Sequence, residues 1–222
     1  MKQRKTVTRV FSVLCALTIG MAAPAYAQLG RQQGLVEPNV ATDSAMLALP
    51  RITADIVQTL KTARPILSIV TLDSILGAGS LTRQQRTELF ARMFVHVDIN
   101  RGTDAEFMLI PGVDANKLRA LKAGRPWKTM EQFQTEITRA TNAAEATRLE
   151  QYFFIPIDLN TWTDPIMDTF LSIGVGTTRW KTEFAEYRPW TSMAQFEQRI
   201  GRYVRSNPSE LKRLARYVII NP

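Results

Sequence analysis

A glycine pair near the end of the chain has the composition of an anion-binding turn. Glycines let the backbone turn sharply and come close to a phosphate, and the free N–H groups at the start of a following helix face the anion. Lys and Arg side chains nearby add electrostatic attraction. The main candidate anion site is therefore the turn and the residues after it, Gly174, Val175, Gly176, Thr177, Arg179 and Lys181.

Two earlier segments keep less of this arrangement. The first, Leu49-Pro50-Arg51-Ile52-Thr53, has neither glycine. The second, Pro111-Gly112-Val113-Asp114, has one glycine, and a carboxylate stands where the other would be. That carboxylate would repel a phosphate. Gly112 and Lys117 are therefore weaker candidates for anion binding, and the third segment should dominate.

Residues that could support catalysis do not form a recognisable set. Asp43, Asp104 and Asp164 recur at equivalent positions, but each falls in the first turn of a predicted helix, where the helix dipole favours an anion. His96 is the only histidine, so neither a metal site nor a His-dependent triad can be assembled around it. We expect no enzyme activity, no metal, no cofactor and no small-molecule substrate.

These candidates recur because the chain repeats with a period of about 61 residues. Four asparagines mark the period, Asn39, Asn100, Asn160 and Asn221. A fixed period with ordered landmarks indicates one folding unit used several times. We place unit 1 at residues 36–96, unit 2 at 97–156 and unit 3 at 157–222. Val218-Ile219-Ile220-Asn221 is interpreted as the opening of a fourth copy.

Residues 1–27 precede this array and have the pattern of an export signal. Four basic residues are followed by a largely apolar run, and Ala25-Tyr26-Ala27 offers a cleavage site after Ala27. Removing the segment leaves 24 basic and 20 acidic residues, a net charge of +4. The mature chain has no cysteine. We expect an exported, periplasmic protein with a flexible leader at 28–35 and no transmembrane span in the mature chain.

Unit 2 shows the predicted helices most clearly. Thr103 and Glu106 form a capping-box pattern that opens a helix through about Ile110. The pattern predicts three further helices, from Asp114 to Ala123, from Thr129 or Met130 onward, and from Ala144 to Phe153. In unit 1 we expect helices near Asp43–Leu49, Ala54–Thr62, Thr71–Leu76 and Arg83–Phe94. The fold class is thus all-α, with four short helices per unit and short extended segments joining the units.

Recurring polar and aromatic residues have both structural and functional interpretations. The asparagines are expected to bond nearby backbone where an extended segment meets a helix. Arg125 and Arg188 precede prolines at helix ends, where a cation is favoured. Trp127 and Trp190 are expected to pack on the third helix of their units. The alternative is a protein interface formed by these two arginines and two tryptophans, because aromatic residues also anchor binding surfaces.

The order of these features resembles the helix-hairpin-helix units of ComEA-type and PsbU-type proteins. The extended segment, the Thr-started helix, the Pro-Gly turn and the proline-bearing corner carry the resemblance, which covers one unit at a time. The corners Arg125-Pro126-Trp127 and Arg188-Pro189-Trp190 are similar to the compact corner of the PsbU kind. ComEA-like receptors hold DNA outside the cytoplasmic membrane, whereas PsbU docks onto other proteins of photosystem II.

The resemblance therefore implies two functions. In the first, the chain is a non-catalytic scaffold or docking subunit of a periplasmic or membrane-peripheral protein assembly. In the second, it binds the backbone of double-stranded DNA without sequence preference, mainly through unit 3. The degraded turns of the first two units and the small net charge favour the scaffold.

Overall fold

The described part of the protein is mainly helical. The computed structural model describes residues 34–172, 178–205 and 207–221, which form twelve helices and four two-residue strands. The predicted export signal and residues 28–33 of the predicted leader lie outside these ranges. Within them, no helix combines the length and the apolar character that crossing a membrane requires.

Each unit contributes four helices and a short strand or bridge at both ends. Unit 1 contains α1 Asp43–Leu47, α2 Ala54–Thr62, α3 Ile69–Ala78 and α4 Arg83–Phe90. Unit 2 contains β1 Val97–Asp98, α5 Asp104–Phe107, α6 Ala115–Ala123, α7 Met130–Ala140, α8 Ala143–Glu150 and β2 Phe153–Phe154. Unit 3 contains β3 Ile157–Asp158, α9 Asp164–Ser172, α10 Thr178–Glu186, α11 Met193–Ile200, α12 Pro208–Ala215 and β4 Val218–Ile219.

Side-chain caps start most of these helices. The predicted capping box of α5 is present, with the Thr103 hydroxyl accepting from the Glu106 N–H and the Glu106 carboxylate accepting from the Thr103 N–H. Helix α2 has the predicted bounds. Helices α4 and α8 end three to four residues earlier than predicted, at Phe90 and Glu150. They end there because the following residues pair as strands, which a helix cannot do.

Parallel backbone pairing closes each unit on itself. The first extended segment of a unit pairs with the segment that follows its fourth helix, in the registers Val36 with Met93, Val97 with Phe153 and Ile157 with Val218. The Val97 N–H donates to the Tyr152 carbonyl at 2.9 Å. Sequence reasoning treated the extended segments only as tethers between units. They also tie the two ends of a single unit together.

This pairing corrects the interpretation of the last residues. Val218 and Ile219 pair with the first strand of unit 3, as Phe153 and Phe154 pair with the first strand of unit 2. The C-terminal segment is therefore the closing strand of unit 3 and not the opening of a fourth copy. The prediction failed because both kinds of strand are short and apolar, and only the pairing distinguishes them.

Two apolar cores support the array. One continuous cluster of buried residues runs through units 1 and 2, and a second lies in unit 3 and takes in Phe154 from the end of unit 2. Phe94 of unit 1 and Tyr152 of unit 2 meet edge to face, with ring centroids 4.8 Å apart. Units 1 and 2 thus share one core, as expected for units that are individually too small to bury much apolar surface.

An asparagine amide joins distant segments in each unit. The Asn100 Oδ1 accepts from the Trp127 N–H at 2.7 Å, and its Nδ2 donates to the Trp127 carbonyl at 2.9 Å. Asn39 makes the same pair of bonds with Ile66, and Asn160 makes them with Trp190. The prediction of a nearby backbone partner was wrong, because the partner lies 27 or 30 residues along the chain.

An arginine fork reinforces that connection from the corner side. Arg125 donates from Nε to the Ile99 carbonyl and from Nη2 to the Gly102 carbonyl, both at 2.8 Å. Arg64 and Arg188 make the corresponding pairs of bonds in units 1 and 3. The Arg-Pro peptide that follows is cis in all three units. The fork holds the turn between the first strand and the first helix in one position.

Replacing Asn100 should therefore destabilise the protein well beyond its local helix. Asn100→Ala leaves the partly buried Trp127 N–H and carbonyl without their partners, so we expect a loss of about 2–3 kcal/mol in the free energy of unfolding. Urea denaturation of the purified variant measures it. Asn116→Ala, at an exposed position in α6, is the matched control and should change stability by about 0.5 kcal/mol or less. Equal losses in the two variants would contradict the proposed role of Asn100.

Candidate functional site

The main candidate anion site falls largely outside the described residues. Gly174, Val175, Gly176 and Thr177 lie there, and the description of Arg179 is limited to its place in the backbone of α10. Lys181 is described, and its Nζ lies 2.6 Å from Asp168 Oδ1. The hydrogen bond that Lys181 donates to the Asp168 carboxylate raises the pKa of Lys181. This predicted cation therefore has a carboxylate partner within its own unit.

In unit 2, the helix start that could have bound an anion is occupied by the protein itself. Gly112 has φ +76°, as the turn before α6 requires. The Asp114 Oδ1 then accepts from the N–H groups of Asn116 and Lys117, both at 2.9 Å. These are the donors that a phosphate at a helix N-terminus would use. Those hydrogen bonds, the one from Lys117 above all, lower the pKa of Asp114.

The cations beside this turn are also engaged. Lys117 Nζ donates to the Gly112 carbonyl at 2.7 Å and lies 3.1 Å from Glu145 Oε1. Arg148 pairs with Glu145 at 2.7 Å and donates to the Pro111 carbonyl at 2.7 Å. The candidates Gly112 and Lys117 are thus in contact. They lie in a cluster in which the cations Lys117 and Arg148 are balanced by the carboxylates of Asp114 and Glu145.

Sequence reasoning missed Glu145 and Arg148 in this cluster. A signal was present, because Glu145 and Arg148 stand three residues apart on α8 and Glu210 and Arg213 repeat that spacing and ion pair on α12. The hydrogen bond from Arg148, with support from Lys117, lowers the pKa of Glu145 to about 2. Glu145 is therefore the residue that holds the cations of unit 2 on their own hairpin.

Unit 1 uses the same turn without a glycine. Arg51 takes a left-handed conformation with φ +65° at the position of Gly112. The Thr53 hydroxyl then caps α2 by accepting from the Ile56 N–H at 3.3 Å. The first two units therefore share one turn geometry, and each caps the following helix with its own side chain.

The candidate interface residues are used inside their own units. Trp127 and Trp190 are 2% and 1% exposed, and their indole N–H groups donate to the carbonyls of Leu121 and Phe184. Arg125 and Arg188 donate to backbone carbonyls, as described above. This geometry supports the structural interpretation of these residues and leaves the indoles almost no surface for a partner.

The surface next to the asparagine connection differs among the units. In unit 1 it carries the exposed apolar side chains of Val40, Leu67 and Val70, which are 42%, 39% and 38% exposed. The corresponding residues, counted from Asn100 and Trp127 of unit 2, are Arg101, Lys128 and Glu131. One frame therefore presents an apolar surface in unit 1 and a charged one in unit 2.

A groove of about 430 Å³ lies between units 2 and 3. The segment from β2 to β3 contributes Ile155 and Pro156, and unit 3 contributes Trp162 and Ile166. Arg101 and Lys128 of unit 2 also line it. We call this cavity the 2/3 groove. It combines an apolar lining with polar groups, which is typical of binding sites.

Units 1 and 3 meet at a buried polar junction. His96 Nδ1 lies 3.4 Å from Glu37 Oε2, and both side chains are buried. Burial opposes ionisation of Glu37, but the hydrogen bond and charge of His96 and two hydrogen bonds from Asn39 together outweigh it and lower the pKa of the carboxyl. Arg216 of unit 3 donates to the His96 carbonyl. His96 therefore belongs to an interunit contact, and the described residues contain no cluster suited to a metal ion.

Comparison with known proteins finds no matching family model, no matching curated protein and no matching solved structure. The functional argument therefore rests on the contacts and charges of the chain itself.

Because Arg51 and Gly112 share a left-handed turn conformation, we expect substitutions at these two positions to change the stability of the protein in opposite directions. Arg51→Gly should stabilise the protein by about 0.5–1 kcal/mol, because relief of the left-handed conformation exceeds the added entropy of the unfolded chain. Gly112→Ala should destabilise it by about 1–2 kcal/mol, because the same conformation disfavours alanine. Chemical denaturation of both variants tests the pair. A stability change of the same sign in both would show that the two turns are not equivalent.

Because the pKa of Glu145 is lowered in the folded state, we expect the stability of the protein to depend on pH. The contribution of Glu145 is therefore present above about pH 5 and is lost as pH falls toward 2. Glu145→Gln should lower the free energy of unfolding at pH 7 by about 1 kcal/mol after solvent screening. The difference from wild type should shrink below about pH 3.

The control for this measurement is Glu136→Gln, which removes an exposed ion pair with Arg139 at the same spacing. It should cost only about 0.3 kcal/mol at pH 7. The free energy of unfolding of Glu145→Gln should be measured by denaturation between about pH 2 and 8. If it varies with pH as that of the wild type does, the assigned role of Glu145 is refuted.

Proposed function

We propose that the protein is a non-catalytic docking scaffold of three tandem helix-hairpin-helix units that acts outside the cytoplasm. The first two helices of each unit, the turn between them and the proline-bearing corner support this family assignment. The export pattern of residues 1–27 supports the location. The use made of such units in the PsbU-type proteins that the chain resembles is protein docking.

The observation that carries this proposal is the self-capping of the first two hairpins. Asp114 accepts from two N–H groups at the start of α6, and Thr53 accepts from one at the start of α2. A phosphate bound in the helix-hairpin-helix manner needs those groups to be free. In addition, Lys117 faces Glu145 and a carbonyl, so it offers little net attraction to a phosphate.

The exposed surfaces of the units also support the docking function. Unit 1 exposes Val40, Leu67 and Val70 where unit 2 exposes charged residues. Apolar residues that are exposed together favour contact with protein over contact with a nucleic acid backbone. The repeated frame thus presents different surfaces, which suits a scaffold that contacts more than one partner surface.

Binding of double-stranded DNA is the alternative function, and the glycine pair Gly174 and Gly176 favours it. If unit 3 held DNA, affinity would fall steeply with salt, because phosphate contacts release counterions. Gly176→Asp and Arg179→Glu would then abolish binding, whereas Arg51→Glu in unit 1 would leave it nearly unchanged.

Two measurements on the mature chain, residues 28–222, decide between these functions. Fluorescence anisotropy with labelled duplex DNA should show no salt-dependent binding between about 20 and 150 mM salt. Affinity purification from the native envelope at the higher salt should recover a protein partner at constant stoichiometry. Salt-dependent DNA binding that Arg179→Glu abolishes, or recovery of the chain alone, would overturn the scaffold proposal.

A further inference from the structure

We propose that Glu37 and His96 form an acid-sensitive clasp between units 1 and 3, which holds while Glu37 is ionised and releases when Glu37 takes up a proton. Release would let unit 3 move away from unit 1 while the helices of both units stay folded. This inference is independent of the proposed docking function, because it concerns how the units are held together.

The first support is the reach of the Glu37 side chain. Its Oε1 accepts from the Asn39 N–H at 3.1 Å. Asp98 and Asp158 stand at the same position in units 2 and 3, and each accepts from the N–H two residues further along, at 2.9 and 3.0 Å. Glu37 is one methylene longer, and its Oε2 also approaches Nδ1 of His96, at 3.4 Å. The turn needs only an aspartate, so the glutamate adds the contact with His96, the only histidine of the chain.

The pair is buried where unit 3 contacts unit 1. The side chains of Glu37 and His96 are 4% and 1% exposed. The His96 carbonyl accepts from Arg216, directly after α12. In the first turn of α12, the Ser209 hydroxyl donates to the Arg64 carbonyl at 3.4 Å. Unit 3 therefore lies against unit 1 along α12, and the pair is next to one end of that contact.

The apolar cores do not join these two units. One buried cluster belongs to units 1 and 2, and the other belongs to unit 3 and Phe154. Neither cluster combines described residues of unit 1 with described residues of unit 3. Unit 3 could therefore leave unit 1 without opening either core, and the polar groups of the junction decide whether it does.

The titratable groups around the pair come from all three units. They are Arg64 of unit 1, Asp98 of unit 2, and Glu210, Arg213, Arg216 and Tyr217 of unit 3. Glu210 pairs with Arg213 at 2.7 Å, and Asp98 accepts from N–H groups of its own turn. Burial and then the charge of Glu37 raise the pKa of Tyr217 to about 12, so this phenol stays neutral. Among the described residues, Glu37 is therefore the carboxylate by which unit 1 attracts the cations of unit 3.

Protonation of Glu37 would remove this attraction. Histidine side chains are ordinarily cationic in acid, so His96, Arg64 and Arg213 would then surround a neutral carboxyl. Like charges repel strongly where little water separates them. Movement of unit 3 away from unit 1 would return these groups to water and relieve the repulsion.

The direction of the pH dependence follows from the pKa of Glu37. That pKa is lowered from its ordinary value of 4.5 in the arrangement that the structure shows. The carboxylate therefore stabilises the contact fully above about pH 4.5, and this stabilisation is lost as pH falls through the lowered value.

Distances between spin labels test the clasp. The mature chain, residues 28–222, has no cysteine. Nitroxide labels at Gln58→Cys in α2 and Gln198→Cys in α11, both exposed positions, report the separation of units 1 and 3 by pulsed electron paramagnetic resonance. We expect one narrow distance at about pH 7 and a longer, broader one below about pH 4. Labels at Gln58→Cys and Thr135→Cys report units 1 and 2, which share one core, and should keep their distance.

Substitutions at Glu37 separate the effect of charge from that of reach. Glu37→Gln removes the charge and should give, at about pH 7, the distance that the wild type gives in acid. Glu37→Asp keeps the turn bond found in units 2 and 3 but is too short for His96, so it should give the same longer distance. Glu88→Gln, the same change at an exposed carboxylate of α4, is the matched control and should keep the wild-type distance.

Far-ultraviolet circular dichroism of the same samples distinguishes release of unit 3 from unfolding, because release keeps the helical signal. A wild-type distance that stays constant down to about pH 3, or the wild-type distance in both Glu37 variants, would overturn the proposal. A longer distance that appears only together with loss of the helical signal would also overturn it. If Glu37→Gln does not fold, Glu37→Asp and the pH series of the wild type carry the test.

Discussion

In each unit, one asparagine amide joins the opening segment to the corner before the third helix. Asn100 makes two short hydrogen bonds with the backbone of Trp127, and Arg125 adds two more to the carbonyls of the same opening turn. These bonds link segments that are far apart in the chain and tie down backbone polar groups that would otherwise lack partners. The positions of the corner, the first strand and the neighbouring groove all depend on them.

This constraint allows one frame to carry three different surfaces. The connection uses backbone groups and interior side chains, so the exposed residues next to it are free to vary. Unit 1 places Val40 and Leu67 there, whereas unit 2 places Arg101 and Lys128. The same holds for the hairpins, where Thr53 and Asp114 cap equivalent helices with different chemistry. Function in such an array is decided by what each unit exposes and by what lies between units.

Local signals in the sequence predicted the local structure well. The bounds of α2 and the capping box of Thr103 follow from residue types a few positions apart. The candidates Gly112 and Lys117 lie in contact, with the Lys117 ammonium donating to the Gly112 carbonyl. Errors occurred where the partner is remote: the asparagine bonds lie 27 to 30 residues away, and α8 stops early to let β2 pair with β1.

Residue types a few positions apart were enough to predict the helical class and the helix caps, and they also gave the period of the repeat and the candidate hairpins. The folded arrangement was needed to see that Val218 and Ile219 close unit 3 and that Glu145 pairs with the cations Lys117 and Arg148 of unit 2. It was also needed to see that the Trp162 indole is buried without an acceptor among the described residues. The physical reason is that helix propensity and capping act over a few residues. Strand pairing, ion pairing and burial depend on which distant segments the folded chain brings together.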